Sequence, residues 1–384
     1  LSKIKVLHIS PNGELYGTER HILSIVKYAN RDIFEHWVAT PVSGNFNAIL
    51  DKYGVKNVIA GRMPNKKNKL AGMLESSGVR KLINLFRKEK FEIIHTHLNS
   101  YGGFLAGIFT RSKLVHTRHG VFWAEPELKN LSFLTKSFQK LKSRRFELTI
   151  AVGEYERDTM IKYFGYNPEK IRLTYNGVNV EEIQNKVCNF NIRSSLVNNQ
   201  ELLIGAVGRL ERQKGFDMFI KAAAIVNKQF ENVKFCIIGD GSLYNELYNL
   251  KESLGLGNNF QFIGYKENIY DYINTFDVMV QTSLWEGISY VVQEAMALKK
   301  PVIALTSKNV SGIKEIIIHE KTGFLIENSF VEKLSSSMIK LITDNSLINK
   351  MGESGLQRVK NDFKEERTCK DMEKYYLELI NTGV

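Results

Sequence analysis

The feature that most constrains this chain is a double run of short apolar, β-branched segments separated by helical patterns. The first series falls near residues 5–9, 37–40, 55–59, 92–95, 114–117 and 148–152; the second falls near 202–207, 235–238, 260–263, 278–280 and 302–304. Helical spacing of apolar residues fills gaps such as 19–28, 78–88, 216–227 and 289–298. Strand–helix alternation of this kind predicts parallel sheets covered by helices on both faces. Two series in 384 residues predict two Rossmann-like α/β domains rather than one. Asn176-Gly177-Val178 closes the first series, and the polar stretch that follows reads as a linker. The expected organisation is residues 1–180, a linker at 181–200, a second domain at 201–363, and a helix at 364–384 packing back on the first domain. Ligands in open α/β sheets sit beyond the strand carboxyl ends, so the two domains are expected to face one another across a cleft.

Composition narrows the partners. Hydrophobic residues at 43% and charged residues at 24% fit a globular enzyme, and no run of about 18 apolar residues is present to span a bilayer. The first ten residues have no secretory apolar core and read as a buried strand. Three scattered cysteines, Cys188, Cys236 and Cys369, argue against a disulfide framework or a zinc site and for a reducing cytoplasm. Residues 1–190 hold 30 Lys+Arg against 17 Asp+Glu, whereas the remainder holds 23 against 24. The excess gathers around 52–69 and 129–145. No nucleic-acid-binding motif accompanies it, so nucleic acid is not expected as a partner. An anionic membrane surface is expected to meet the basic N-terminal domain, on the cytoplasmic face of the inner membrane.

The strongest chemical signal lies at Glu286-Gly287-Ile288-Ser289 and Glu294. A strand leads into this loop, and Gly287 is expected to open a helix running to Leu298. A helix start offers unpaired N–H groups to a diphosphate, and a glycine there lets the backbone come close. Eight residues of helix would set Glu286 and Glu294 up to about 12 Å apart, a span suited to a sugar and a ribose on either side of a diphosphate. Spacing alone equally fits an amphipathic helix with two solvated glutamates. Arg209 and Lys214 follow the first strand of the second series, where they could converge on phosphate oxygens. Gly239-Asp240-Gly241 is a further strand-to-helix turn, readable as a nucleobase wall or as turn chemistry alone. In the first half, Gly13 to Arg20 places Tyr16 and Gly17 between strand and helix. Its spacing is not GxGxxG, which disfavours a nicotinamide cofactor. His119 stands at another strand end. His95 and His97 are spaced for a metal but show no third ligand nearby in the sequence, and Asp-x-Asp is lacking; no metal is expected.

Taken in order, these segments resemble glycosyltransferase family 4, the retaining family of GT-B fold. The similarity spans nearly the whole chain and rests on six elements: Gly17-Thr18-Glu19-Arg20, His119-Gly120, Asn176-Gly177-Val178, Gly208-Arg209 with Lys214-Gly215, Gly239-Asp240-Gly241, and Glu286 through Glu294-Ala-Met-Ala. The resemblance implies a metal-independent, retaining transfer from a nucleotide-diphosphate sugar, expected to be UDP-linked and a substrate rather than a cofactor. It implies that Glu294 binds the ribose, that Glu286 holds the donor sugar, and that Arg209 and Lys214 neutralise the leaving diphosphate. Gly17 would approach the phosphate, His119 would contact the transferred sugar, and Gly239, Gly287, Ile288 and Ser289 would line the donor. No covalent glycosyl-enzyme intermediate is implied. The chain departs from the family in carrying Tyr16 where a second glycine is usual, and Gly-Ile-Ser after Glu286.

Acceptor candidates are Tyr16 and Trp123. The segment 129–145 has Leu131, Leu134, Phe138 and Leu141 at helical spacing, which fits either a membrane-surface helix or a core helix with a solvated basic face. A glycan or lipid-linked acceptor in cell-surface polysaccharide or lipopolysaccharide synthesis is the expected substrate. Competing readings are a nucleotide-sugar epimerase of the same fold and a non-catalytic sugar-nucleotide-binding protein.

Overall fold

A computed structural model describes residues 2–61, 77–98, 110–120, 128–306, 312–327 and 330–381. The chain divides into two units. The first comprises residues up to Gly120, Leu128–Asn176, and the chain from Glu365 onward. The second is built from Gly177–Lys364.

The first unit holds a seven-stranded sheet in the order β3-β2-β1-β4-β5-β6-β7, with every neighbouring pair parallel. The strands are β1 Ile4–Ile9, β2 Phe34–Thr40, β3 Lys56–Ile59, β4 Ile93–His97, β5 Lys113–Arg118, β6 Leu148–Ala151 and β7 Ile171–Leu173. Successive side chains of a strand point to opposite faces. Val6, Ile93 and Val115 accordingly cluster with Ile25, Met372 and Tyr376, while their neighbours Leu7, Ile94 and Leu114 pack with Leu82 and Phe86. The helix Glu365–Asn381 therefore supplies part of the first unit's own core. Glu365 also accepts from Ser24, Lys27 and Tyr28 of the helix Gly17–Tyr28.

The second unit holds six parallel strands in the order β10-β9-β8-β11-β12-β13. They are β8 Leu202–Val207, β9 Val233–Ile238, β10 Phe260–Gly264, β11 Val278–Gln281, β12 Val302–Leu305 and β13 Gly323–Ile326. The helix Phe216–Asn227 buries Phe219, Ile220 and Ala223 against Phe235 and Phe260.

The structure departs from the sequence expectations at two points. Residues 181–200 are not a free linker: the helices Val180–Asn185 and Ile192–Leu196 belong to the second unit. Arg193 bonds the Thr275 carbonyl and pairs with Asp277 at 3.0 Å, and Asp271 accepts from the backbone N–H groups of Cys188 and Asn189. Polarity there serves tethering rather than slack. β7 and β13 are not among the expected strands: β7 has only three residues, and β13 opens on a glycine, a residue depleted in strands. In both sheets the order reverses beside the first strand, at β1/β4 and at β8/β11, and such switch points open crevices beyond the strand carboxyl ends.

Candidate active site

In the second unit the crevice is furnished by two loops stitched together. The loop after β8 carries Arg209 to Gly215; the loop after β11 carries Thr282 to Ser289. Thr282 donates to the Lys214 carbonyl at 2.8 Å, the Leu284 N–H to the Gln213 carbonyl at 2.8 Å, and Gln213 to the Trp285 carbonyl at 3.0 Å. Gly215 lies at φ +58°, and a Cβ there would fall 2.4 Å from the Thr282 carbonyl oxygen, so the joint admits only glycine. At Gly239, φ +135°, a Cβ would meet the Gly208 oxygen at 2.1 Å, which brings the ends of β8 and β9 into direct backbone contact.

Glu286 is the centre of this arrangement. Its Oε2 accepts from Lys214 Nζ at 2.7 Å, Ser283 Oγ at 3.0 Å and Gln281 Nε2 at 3.1 Å. Both partners of the Lys214–Glu286 pair are mostly buried, with side chains 15% and 19% exposed, so water screens the pair less than it would on an open surface. Arg209 is exposed, and its guanidinium makes no hydrogen bond or ion pair among the described residues. Glu294 is fully buried and accepts from Tyr270 Oη at 3.2 Å.

The expectation that Gly287 opens the helix is wrong by three residues. The helix is Tyr290–Ala297, with Ser289 as an extended N-cap that makes no side-chain cap bond. Gly287, Ile288 and Ser289 form the entering loop, held where the Gly312 N–H donates to the Glu286 carbonyl at 3.1 Å. Glu286 and Glu294 thus belong to a loop and a helix, not to one helical face. The N-terminal N–H groups of that helix lack a side-chain cap and suit an anionic oxygen.

In the first unit, Gly17 begins the helix Gly17–Tyr28 and is exposed, as is Tyr16 at 58%. Glu19, fully buried, accepts from Ser10 Oγ at 2.6 Å and from the Tyr16 N–H at 3.3 Å, closing the helix start. Burial raises its pKa, and the Ser10 hydrogen bond opposes that shift. His119 follows β5. The next N–H, of Gly120, donates to Glu156 Oε1 at 2.5 Å while Val152 N–H donates to Oε2 at 2.8 Å. Glu156, a buried clamp on this loop, had no sequence signal beyond its helix. Trp123 lies outside the described residues.

Histidine geometry corrects a second reading. Near His95 and His97 the sequence offers no third ligand, yet among the described residues the fold supplies two sets: His8, His95 and His97, and His21, His97 and His119, each with one nitrogen per ring within 4.8 Å of the others. Adjacent parallel strands bring together residues far apart in sequence, which spacing along the chain cannot reveal. Burial holds the imidazoles of His8, His95, His97, His116 and His119 well below the ordinary value of about 6.5, and neighbouring basic groups lower them further. His21 is lowered to about 4 by burial, although Asn176 Oδ1, 2.8 Å from Nδ1, works against the shift.

Comparison with known proteins settles the family. Residues 16–182 match the family model described as Glycosyltransferase Family 4, and residues 189–358 match that described as Glycosyl transferases group 1. The chain belongs to glycosyltransferase family 4. It is a glycosyltransferase of GT-B fold, not an epimerase or a silent binding protein. It is 25% identical over 388 residues to an Escherichia coli UDP-Gal:alpha-D-GlcNAc-diphosphoundecaprenol alpha-1,3-galactosyltransferase, covering 99% of this chain and 98% of that one. It is 26% identical to the Staphylococcus aureus capsular polysaccharide biosynthesis glycosyltransferase CapM, covering 83% and 85%. The Anabaena protein HepE, solved with UDP and glucose, shares the fold at TM-score 0.82 and 20% identity, over 98% of this chain and all of that one.

Proposed function

We propose that the chain moves a sugar, with retention and without a metal ion, from a UDP-sugar to a lipid-linked glycan acceptor of cell-surface polysaccharide synthesis. The observation that carries the reading is the Lys214–Glu286 pair, organised by Gln281 and Ser283, beside an uncapped helix start and the unengaged Arg209. In this reading the diphosphate draws on Lys214, Arg209 and the helix N–H groups, which stabilise charge as the leaving group departs. Glu286 receives hydroxyls of the donor sugar and Glu294 those of the ribose, with Gly239, Gly287, Ile288 and Ser289 along the donor. Gly17 and His119 are the first unit's contributions, and Tyr16 lies on the acceptor side. The bond from the anomeric carbon to the leaving phosphate breaks as the acceptor oxygen bonds the same face, and the acceptor proton passes to the phosphate oxygen. The acceptor's lipid chain favours work at an anionic membrane on the cytoplasmic side. The similarity to a galactosyltransferase named for a diphosphoundecaprenol-linked sugar, and to one named for capsular polysaccharide biosynthesis, supports the lipid-linked acceptor.

The test is thermal stabilisation by UDP-, GDP-, ADP- and CMP-sugars in the presence of chelator. Stabilisation by UDP-sugars is expected; none by any nucleotide, or a strict need for manganese, overturns the reading. Arg209→Ala is expected to lower kcat about 10²-fold while changing donor KM far less, on the scale of removing one charge-stabilising donor. Unchanged kcat removes Arg209 from the leaving-group role.

A further inference from the structure

Four histidines of the first unit are joined ring to ring. His36 Nδ1 lies 2.9 Å from His8 Nε2, His8 Nδ1 lies 3.1 Å from His97 Nε2, and His97 Nδ1 lies 3.1 Å from His119 Nε2. The rings come from β2, β1, β4 and the residue after β5, so the chain crosses the sheet from strand to neighbouring strand. Its two outer nitrogens, His36 Nε2 and His119 Nδ1, are buried and have no hydrogen-bond partner among the described residues.

The parity of this chain restricts it sharply. A neutral imidazole has one N–H and one lone pair, and every link needs one of each. Two arrangements satisfy all three links: all four rings carry the proton on Nδ1, or all four carry it on Nε2. In the first, His119 presents an N–H at its outer Nδ1; in the second, it presents a lone pair there. His36 Nε2 is buried with no partner among the described residues to take a proton, so the two arrangements are alternatives of which the folded chain holds one, not states joined by passing a proton along it. Either arrangement keeps all three links, and in neither is a ring charged. Burial favours the neutral forms: it lowers the pKa of His36 to about 3 and those of His8, His97 and His119 well below the ordinary range.

We propose that His36, His8 and His97 are positioning residues that form a hydrogen-bonded relay holding one shared tautomer, which sets whether His119 offers a proton or a lone pair at Nδ1. The inference rests on the reading of His119 as a contact of the reacting groups. The neighbours of His119 do not compete for the links. His21 meets its ring edge-on at 4.8 Å between centroids but is tied through Nδ1 to Asn176. His95 lies tilted against His97 at 4.1 Å between centroids but uses both nitrogens elsewhere, 2.6 Å from Tyr376 Oη and 2.6 Å from Thr117 Oγ1. His116 stacks on Phe146 and lies 3.0 Å from Thr96 Oγ1. A metal ion on His21, His97 and His119 is the competing chemistry. It would require His97 and His119 to turn from facing one another toward a common point.

Long-range proton–nitrogen correlation on the full chain with ¹⁵N-labelled histidine reads the relay directly, independent of turnover. His8, His36, His97 and His119 are expected to share one neutral tautomer throughout the range near pH 6.5 where a free imidazole titrates. Mixed tautomers or an imidazolium within the four overturns the relay, as does zinc or copper retained stoichiometrically after chelator treatment. His8→Asn keeps an amide group facing His97 but cuts the path to His36; kcat is expected to fall about 10-fold, below the range for a direct acid–base group, at unchanged donor KM. Full kcat in a folded His8→Asn protein overturns the catalytic role. Should that variant not fold, His36→Phe at the far end provides the same comparison. A wild-type protein that shows the shared tautomer yet transfers no sugar refutes the transferase reading and leaves the relay's structure intact.

Discussion

Glu286 and Glu294 carry the same side chain into unlike surroundings. One shares a carboxylate oxygen among three donors in a loop; the other is sealed inside a helix beside Tyr270. The sequence made both visible as chemistry-bearing residues, because glutamates flanking a glycine after a strand are a local pattern. It could not show the Lys214–Glu286 bond, which depends on two loops 72 positions apart being stitched together. Lys142 is a residue whose burial the sequence pattern does not signal. On the helix Phe133–Arg144 it faces inward, and burial, then Arg118, lowers its pKa to about 7. In the unfolded chain a lysine titrates near 10.4. Between these values the unfolded state binds the extra proton, so stability rises with pH from about 7 toward 10.4; below pH 7 the full cost of the buried charge is present. Lys142→Met is therefore expected to raise the unfolding midpoint at pH 6, with the gain shrinking as pH climbs to 10. A gain independent of pH in paired thermal melts would refute the buried-charge account.

That helix is turned the opposite way from a core helix. Gln139, Lys142 and Ser143 are buried, while Phe133, Leu134, Phe138 and Leu141 are 80%, 78%, 49% and 66% exposed, with Lys140, Arg144 and Arg145 also exposed. Beside it lies a cavity of about 260 Å³ lined in part by Lys140, Arg144 and Lys170. Periodicity located the helix and its apolar stripe, but not which side faced water, since inward polar residues at 139 and 143 fit either orientation. Under the proposed work at a membrane, this exposed apolar ridge bordered by basic groups is the surface that would meet anionic lipid. Replacing Phe133 and Leu134 by Asp is expected to weaken sedimentation with phosphatidylglycerol vesicles at least 10-fold, since each large apolar side chain transfers roughly 1.5–3 kcal/mol when buried. Neutral phosphatidylcholine vesicles should bind the unaltered protein less, and added salt should narrow that difference. Equal binding to both lipids would leave the basic residues without a role in docking.

At the scale of the whole chain, the two sheets were legible because each strand–helix pair repeats a local pattern, whereas membership of the last helix was only an expectation about long-range packing. Glu365–Asn381 follows the second unit in sequence yet places Met372 and Tyr376, both fully buried, in the first unit's core. Tyr375 Oη donates to the Leu173 carbonyl, Thr368 Oγ1 to the Tyr175 carbonyl and Thr174 Oγ1 to Asp371, which closes the edge at β7. Losing two large buried side chains at roughly 1.5–3 kcal/mol each, together with these hydrogen bonds at about 0.5–1.5 kcal/mol each, approaches a domain's usual 5–15 kcal/mol. A chain ending at Lys364 is therefore expected to lose the first unit's unfolding transition in calorimetry while keeping the second unit's, still raised by UDP-sugar. Tyr376→Phe, which removes only the hydroxyl 2.6 Å from His95 Nδ1, should lower the first transition by a few degrees and leave the second unmoved. If truncation abolished both transitions, the two units would not be independently stable, and the second unit's sheet and loops would not suffice to hold the donor site.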